Sequence, residues 1–265
     1  MAKSVKLKEA DTFIATSGVY DFESKMTQEE INALFVNGGA GTHNSIYRGK
    51  FLGTSVTPEQ YAAIANGTFE GLYIGDYWTI NGINWRNACF DPFLNCGDTT
   101  LKKHHSLILP DTCLYKAKMN TSNTTTGGYV GSAMYKSNLE QAKTIIKAAF
   151  GSHVLIKREL LTNAVNSDAP SGWAWLDSDV ELMNEVQAYG SVVWGAHGGN
   201  GFNVALGDGQ FPLFRFDRTK LHNREVYWLR DVISNVGFSK VDGNGAANRD
   251  NAAADLGVRP YFCIG

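Results

Sequence analysis

Four aspartates, Asp76, Asp91, Asp98 and Asp111, lie close in sequence to Trp78, Trp85 and Tyr115. Carboxylates beside aromatic platforms are the materials of glycoside hydrolysis, where two acid groups must face each other across a sugar at a set separation. Proximity along the chain does not set that separation, and turn or cap duty is the commoner use of Asp at such places. Other catalytic patterns are missing. There is no G-x-S-x-G elbow, no G-x-x-x-x-G-K-[ST] phosphate loop and no H-E-x-x-H. "AHGGNG" (196–201) has the look of an oxyanion loop, but without a nucleophile elbow it reads as a glycine turn. His104 and His105 are adjacent, which in a strand would send them to opposite faces and spoil a shared metal site. His43, His153, His197 and His222 are scattered. No catalytic residue, metal site or cofactor is expected.

Cys89, Cys96, Cys113 and Cys263 match no zinc spacing and contain no C-x-x-C pair, so they read as reduced, mostly buried thiols, with a Cys89–Cys96 bridge as the alternative. The 24 basic and 26 acidic side chains nearly balance and form no basic run, which argues against nucleic acid or an anionic membrane surface as partner. No apolar stretch approaches the 18 or so residues of a membrane span. "MAKSVKLKEADTF" has no apolar leader core, so synthesis and at least initial residence in a cytoplasm are expected. Asn120-Thr121-Ser122 and Asn123-Thr124-Thr125 are formal glycosylation sequons, and in that setting they read as a polar surface loop.

The elements that must position any site come next. Helix-start chemistry, a capping residue with Glu or Gln three positions on, occurs at Thr27–Glu30, Thr57–Gln60, Ser137–Glu140 and Ser178–Glu181. The last two predict the two main helices of the body, closed by Gly151 and Gly190. "GLYIGDYWTI", "HSLILP", "GSVVWG", "FPLFRF" and "VYWLRDV" are short, aromatic or β-branched, and read as strands. Strands that do not alternate with helices predict an α+β architecture. "GGAGT" (38–42) reads as a hinge between a small N-terminal segment, 1–44, and the main domain, 45–265.

The C-terminal tract fits a bland explanation worst. Of the 23 residues from Asn235 to Gly257, 13 are Asn, Gly or Ala, yet Tyr227, Trp228 and Leu229 precede them and Val258, Tyr261, Phe262 and Ile264 follow. A disordered tail would stay polar to its end. An ordered loop crossing the surface between two anchored strands is expected instead, and loops on rigid scaffolds are where binding residues concentrate. Alternation from Ser239 puts Lys240 and Asp242 on one face.

"YWLRDV" (227–232), the Phe238 and Val241 anchors, the closing "LGVRP" (256–260), and upstream "LYIGDYWTINGINWR" and "LILPDTCLYKAKMN" together resemble the variable proteins of diversity-generating retroelements in phages and prophages. The likeness covers roughly residues 45 to 265. "SKMTQEEINALF" resembles tail-fibre attachment sequence more loosely. What the resemblance implies is a C-type-lectin-like fold, akin to that of formylglycine-generating enzymes, with a variable region at about 227–265. Misreading of template adenines turns Asn codons into Asp, Gly, Ala, Ser, Val or Arg codons. Asn235, Val236, Gly237, Asp242, Gly243, Asn244, Ala246, Asn248, Arg249, Asp250, Asn251 and Ala254 fit that inventory. Lys240 is counted with them but departs from the scheme, because adenine changes in AAC cannot produce Lys.

The implied function is non-enzymatic recognition of a host-surface protein or glycan receptor by a tail-associated virion protein. Other virion proteins would be partners, and a homotrimer is the arrangement that suits a tail fibre, although no heptad pattern marks one. Trp228, Arg230 and Arg259 are expected to support the surface rather than touch ligand, because an aromatic packs a floor and an Arg fork pins carboxylates or carbonyls. The alternatives are a carbohydrate-active or formylglycine-generating-enzyme-like enzyme, and an inert structural virion protein.

Overall fold

The computed structural model describes residues 39–98, 101–195 and 209–265. The chain passes through α1 (Gly39–His43), β1 (Phe51–Gly53), α2 (Pro58–Ala65), β2 (Tyr77–Ile80), β3 (Ile83–Phe90), β4 (Ser106–Pro110) and β5 (Tyr115–Ala117). A π-helical turn, Met134–Asn138, leads into α3 (Leu139–Phe150), then β6 (Val154–Leu155), β7 (Lys157–Asn166), β8 (Ala169–Ser178) and β9 (Val180–Leu182). The last third holds α4 (Glu185–Tyr189), α5 (Pro212–Phe216), β10 (Tyr227–Val232), β11 (Gly237–Val241), β12 (Ala247–Asn251), β13 (Leu256–Val258) and β14 (Pro260–Ile264).

Seven strands make one sheet in the order β1-β2-β3-β4-β14-β6, with β9 also paired to β14. Five make a second, β12-β11-β10-β13-β5, and β7 with β8 forms a separate hairpin. The architecture is mixed α+β, mostly sheet with few helices. The chain crosses between the two larger sheets at Arg259, the single residue between β13 and β14. On the first sheet lies α3, whose Leu139, Ala142, Ile146 and Phe150 recur at helical spacing and are buried. Phe150 and Phe262 pack 5.0 Å apart, and Trp85 meets each of them edge-on at 5.5 Å.

Local chemistry explains where the expected elements formed and where they did not. Thr57 and Gln60 make the reciprocal cap that starts α2, and Gln60 Oε1 also accepts from the Trp78 indole at 2.9 Å, tying the cap to the core. Ser137 does not cap α3, because the chain is already helical from Met134 and its hydroxyl donates back to Ala133 O. The helix expected from Ser178 is a correction. Residues 180–182 pair with β14, the Ser178 hydroxyl donates to Glu181 Oε1 at 2.6 Å, and the helix begins only at Glu185 behind an Asn184/Gln187 cap. "FPLFRF" is also corrected, since Pro212 at the first turn starts helix α5 there. "GSVVWG" makes no strand, as its backbone is spent on Glu185 instead of a neighbour strand. Gly39–His43, overlapping the expected hinge, is a short helix, with His43 buried against Tyr73 and hydrogen-bonded to Leu72 O at 2.6 Å. The Thr27 helix and the 196–201 glycine turn lie outside the described residues.

Candidate ligand-binding surface

The Asn235–Gly257 tract is not one loop. Most of it is the β11–β12 hairpin, paired from Gly237↔Asn251 to Val241↔Ala247, with β11 also paired to β10. Apolar residues on β11 hold it to the body. Phe238 and Val241 are fully buried, and the Ser239 hydroxyl lies 3.3 Å from Asp231 Oδ2. Asp242 N donates to Ala246 O and Gly245 takes the left-handed conformation (φ 85°), which closes the hairpin turn. Asn244 accepts from Ala246 N in that turn.

On one face of the hairpin, Lys240, Asp242, Asn248 and Asp250 come together. Lys240 Nζ lies 3.0 Å from Asp250 and 3.3 Å from Asp242, while Asn248 donates to Asp242 at 2.7 Å. Partial burial works against the Lys240 ammonium, but the two carboxylates outweigh it and raise its pKa. Arg249 lies on the other face, its guanidinium 4.7 Å above the Trp194 ring. Asn235 and Val236 are exposed at the far end, in the β10–β11 turn, where Asn235 N donates to Asp168. Gly243 and Ala254 are partly covered, and Asn244, Ala246 and Asn251 are exposed. Gly237 is buried, and a Cβ there would come within 2.5 Å of Asp250 O, so packing fixes it as glycine.

β12 is a sheet edge, and edges invite pairing with other chains. Its register turns the N–H groups of Arg249 and Asn251 outward. Each donates to the side chain just before it, Asn248 Oδ1 at 2.8 Å and Asp250 Oδ1 at 2.9 Å. The Ala247 carbonyl accepts from the Trp194 indole. The edge is therefore closed by side chains, and what it offers to a partner is side-chain chemistry.

Trp228, Arg230 and Arg259 are buried in the body of the protein. Trp228 is fully buried and donates to Ala117 O at 2.9 Å. Arg259 is fully buried, donates to Pro110 O and Leu221 O, and sits 5.3 Å above the Tyr227 ring. Arg230 reaches Glu159 at 2.7 Å, Leu182 O and the Tyr261 hydroxyl. Glu159, Lys157, Glu181, Tyr129 and Tyr261 complete a charged cluster that was not singled out from sequence. Alternation in "KRELL" carried the signal, since it turns Lys157, Glu159 and Leu161 to one face of β7.

Within that cluster, burial would raise the Glu159 pKa, but Lys157 and Arg230 hold it below the usual carboxylate range. Glu181 goes the other way, raised by burial and by the charge of Glu159, and it accepts from Tyr129 and Ser178 at 2.6 Å each. Lys157 Nζ is 2.6 Å from Glu159 Oε1 but outside hydrogen-bonding angles, so that pair is a charge contact rather than a directed bond. A pocket of about 230 Å³ is lined by Tyr135, Leu139, Ile156, Ser178, Val180 and Glu181, none of them in the hairpin.

Trp194 and Glu185 carry no local sequence signal for their place beside the hairpin. The fully buried Glu185 carboxylate accepts the backbone N–H groups of Val193, Trp194 and Gly195, and its own N–H donates to Asp231. The aspartates considered for glycoside chemistry have other employment. Asp76 takes the Arg48 fork and the Lys50 and Tyr73 amides, Asp111 takes Arg86, Asp98 takes Arg158, and Asp91 accepts from His105 N and contacts His104. His104 and His105 thus share a carboxylate, and among the described residues no group of three or more His, Cys, Asp or Glu could hold a metal. All four cysteines are free, so Cys89 and Cys96 are not bridged. Asn120 and Asn123 use their side chains internally, on Ala133 N and Ala253 N. No described helix is long and apolar enough to cross a membrane. Comparison with protein-family models, curated proteins and solved structures finds no match to this chain.

Proposed function

We propose that this chain is a non-enzymatic ligand-binding protein with a C-type-lectin-like fold, in which the β11–β12 hairpin and its flanking turns recognise a host-surface molecule for a phage or prophage. The observation that carries the reading is the separation of duties along the tract. Phe238, Ser239 and Val241 anchor it, while Asn235, Asn244, Ala246, Arg249 and Asn251 point outward and can change without opening the core. Short polar side chains on a fixed frame make adaptable contacts, and display in several copies would compensate for modest affinity per site.

Two experiments test it. DNA flanking the gene should hold a near-copy of the Tyr227–Gly265 coding segment, differing at adenines, beside a reverse transcriptase gene. Its absence removes the diversification argument. Second, labelled protein is incubated with a panel of intact bacterial cells, alongside a five-site variant carrying Asp242→Asn, Asn244→Ser, Ala246→Ser, Arg249→Ser and Asp250→Asn, which keeps the side-chain acceptors that close the β12 edge. The spectrum of cells bound should change. The two Lys240 ion pairs and the Arg249–Trp194 contact removed are partly exposed and worth at most about 1 kcal/mol each, so Tm should fall by no more than about 6–12 °C with the transition still cooperative. A collapse in Tm, or an unchanged spectrum, rejects the reading.

A further inference from the structure

We propose that Arg249, stacked on Trp194, is the anion-receiving anchor of this surface and takes a carboxylate from an acidic protein partner. The inference rests on the ligand-binding reading and gives the ligand a chemistry. Stacking uses the face of a guanidinium and leaves its N–H donors directed outward at the rim. Among the described residues, no carboxylate or carbonyl accepts a hydrogen bond from the Arg249 guanidinium. Lys240, the other cation of the hairpin, is occupied by Asp242 and Asp250. The two faces therefore differ in sign. The Lys240 face carries one positive and two negative charges, whereas the Arg249 side presents an uncommitted fork.

The plate under that fork is held rigidly. Trp194 donates its indole N–H to Ala247 O at 3.1 Å, and its backbone N–H is 2.9 Å from Glu185 Oε2. Glu185 also holds both neighbours of Trp194 and sits in the first turn of α4. A fork that rests on a fixed ring loses less freedom than one free in solvent when it clamps a carboxylate in two-point geometry. Two observations favour a protein over an acidic glycan. The Trp194 face toward Arg249 is covered and not offered to a sugar ring, and the surface is a hairpin edge, while the pocket walled by Tyr135 and Ile156 lies elsewhere.

The test uses the full chain and two probes, a fluorescein-labelled oligo-glutamate peptide and labelled hyaluronan, read by anisotropy at low and physiological salt. Wild type should bind the peptide. Arg249→Gln should weaken binding about tenfold, Arg249→Lys should restore only part because a point charge lacks the fork, and the remote Lys116→Gln should stay within about twofold. Equal binding by wild type and Arg249→Gln, or equal loss in Lys116→Gln, overturns the proposal. Preference for hyaluronan over the peptide overturns the protein assignment. Cell binding that is altered by the five-site variant but not by Arg249→Gln would leave the ligand-binding surface standing and reject this anchor.

Discussion

Arg259 shows how much one buried side chain can carry here. It has no exposed surface, bridges Pro110 O of β4 to Leu221 O, and touches the Tyr227 hydroxyl at 3.2 Å. Arg259→Met keeps bulk but leaves the Pro110 carbonyl without this donor. Urea denaturation at neutral pH should show a loss of about 2–4 kcal/mol. Glu181 makes a prediction in pH. Its native pKa is raised above the ordinary 4.5, so the native state keeps a proton that the unfolded chain has already released. Stability from this group is full below pH 4.5 and declines as pH rises through the raised native value. His43 and His105, lowered by burial, act in the opposite sense below 6.5, which makes the variant difference the useful quantity. Glu181→Gln should lose the Glu181 decline, so its stability relative to wild type should increase from acid toward neutral pH. A constant difference would show that Glu181 does not titrate across that range.

At the scale of elements, the hairpin is specified by tight backbone approach and by edge closure. Gly237→Ala would push a methyl group against Asp250 O, and separating β11 from β12 should cost about 1–3 kcal/mol, visible as a lower urea midpoint. Asn248→Ala with Asp250→Ala should have a different signature. Folding should persist, but the outward N–H groups of Arg249 and Asn251 lose their acceptors, and light scattering should reveal concentration-dependent self-association. Absence of self-association would mean that Arg249 and its neighbours alone keep the edge solvated. For α4, Asn184→Ala removes the side-chain acceptor of the Gln187 N–H, one half of a reciprocal cap on a buried helix, and should cost about 1 kcal/mol.

The whole molecule depends on its last strand. β14 pairs β4 on one side and β9 and β6 on the other, and Tyr261, Phe262, Cys263 and Ile264 are all fully buried. Deleting residues 260–265 opens the seven-stranded sheet and exposes Phe150 and Trp85 where Phe262 packed. The truncated chain should show no cooperative thermal transition and no native near-ultraviolet circular dichroism. A truncated chain that melts cooperatively would place the folding core elsewhere. The candidate surface therefore lies in the chain just before strands that the fold cannot spare.

Much of this architecture is legible in the sequence. The α2 cap, the strands at "YWTI", "SLILP" and "YWLRDV", the sheet-rich α+β class, and the pairing of Lys240 with Asp242 on one face all follow from local spacing, because capping and alternation act within a few residues. Other assignments lay beyond local rules. Residues 180–182 carry a helix-start pattern but become a strand because β14, eighty residues away, supplies a ladder. Trp194 acquires its place from Glu185 and the Ala247 carbonyl, and Arg230 acquires its partner from Glu159 on β7. By itself the sequence determined which segments are apolar, which can start or end an element, and that the C-terminal tract must be anchored at both ends. Tertiary structure alone decided that this tract is a hairpin at a sheet edge, and which charges are paired inside or free outside. Those choices depend on contacts between residues far apart in the chain, which short-range pattern does not encode.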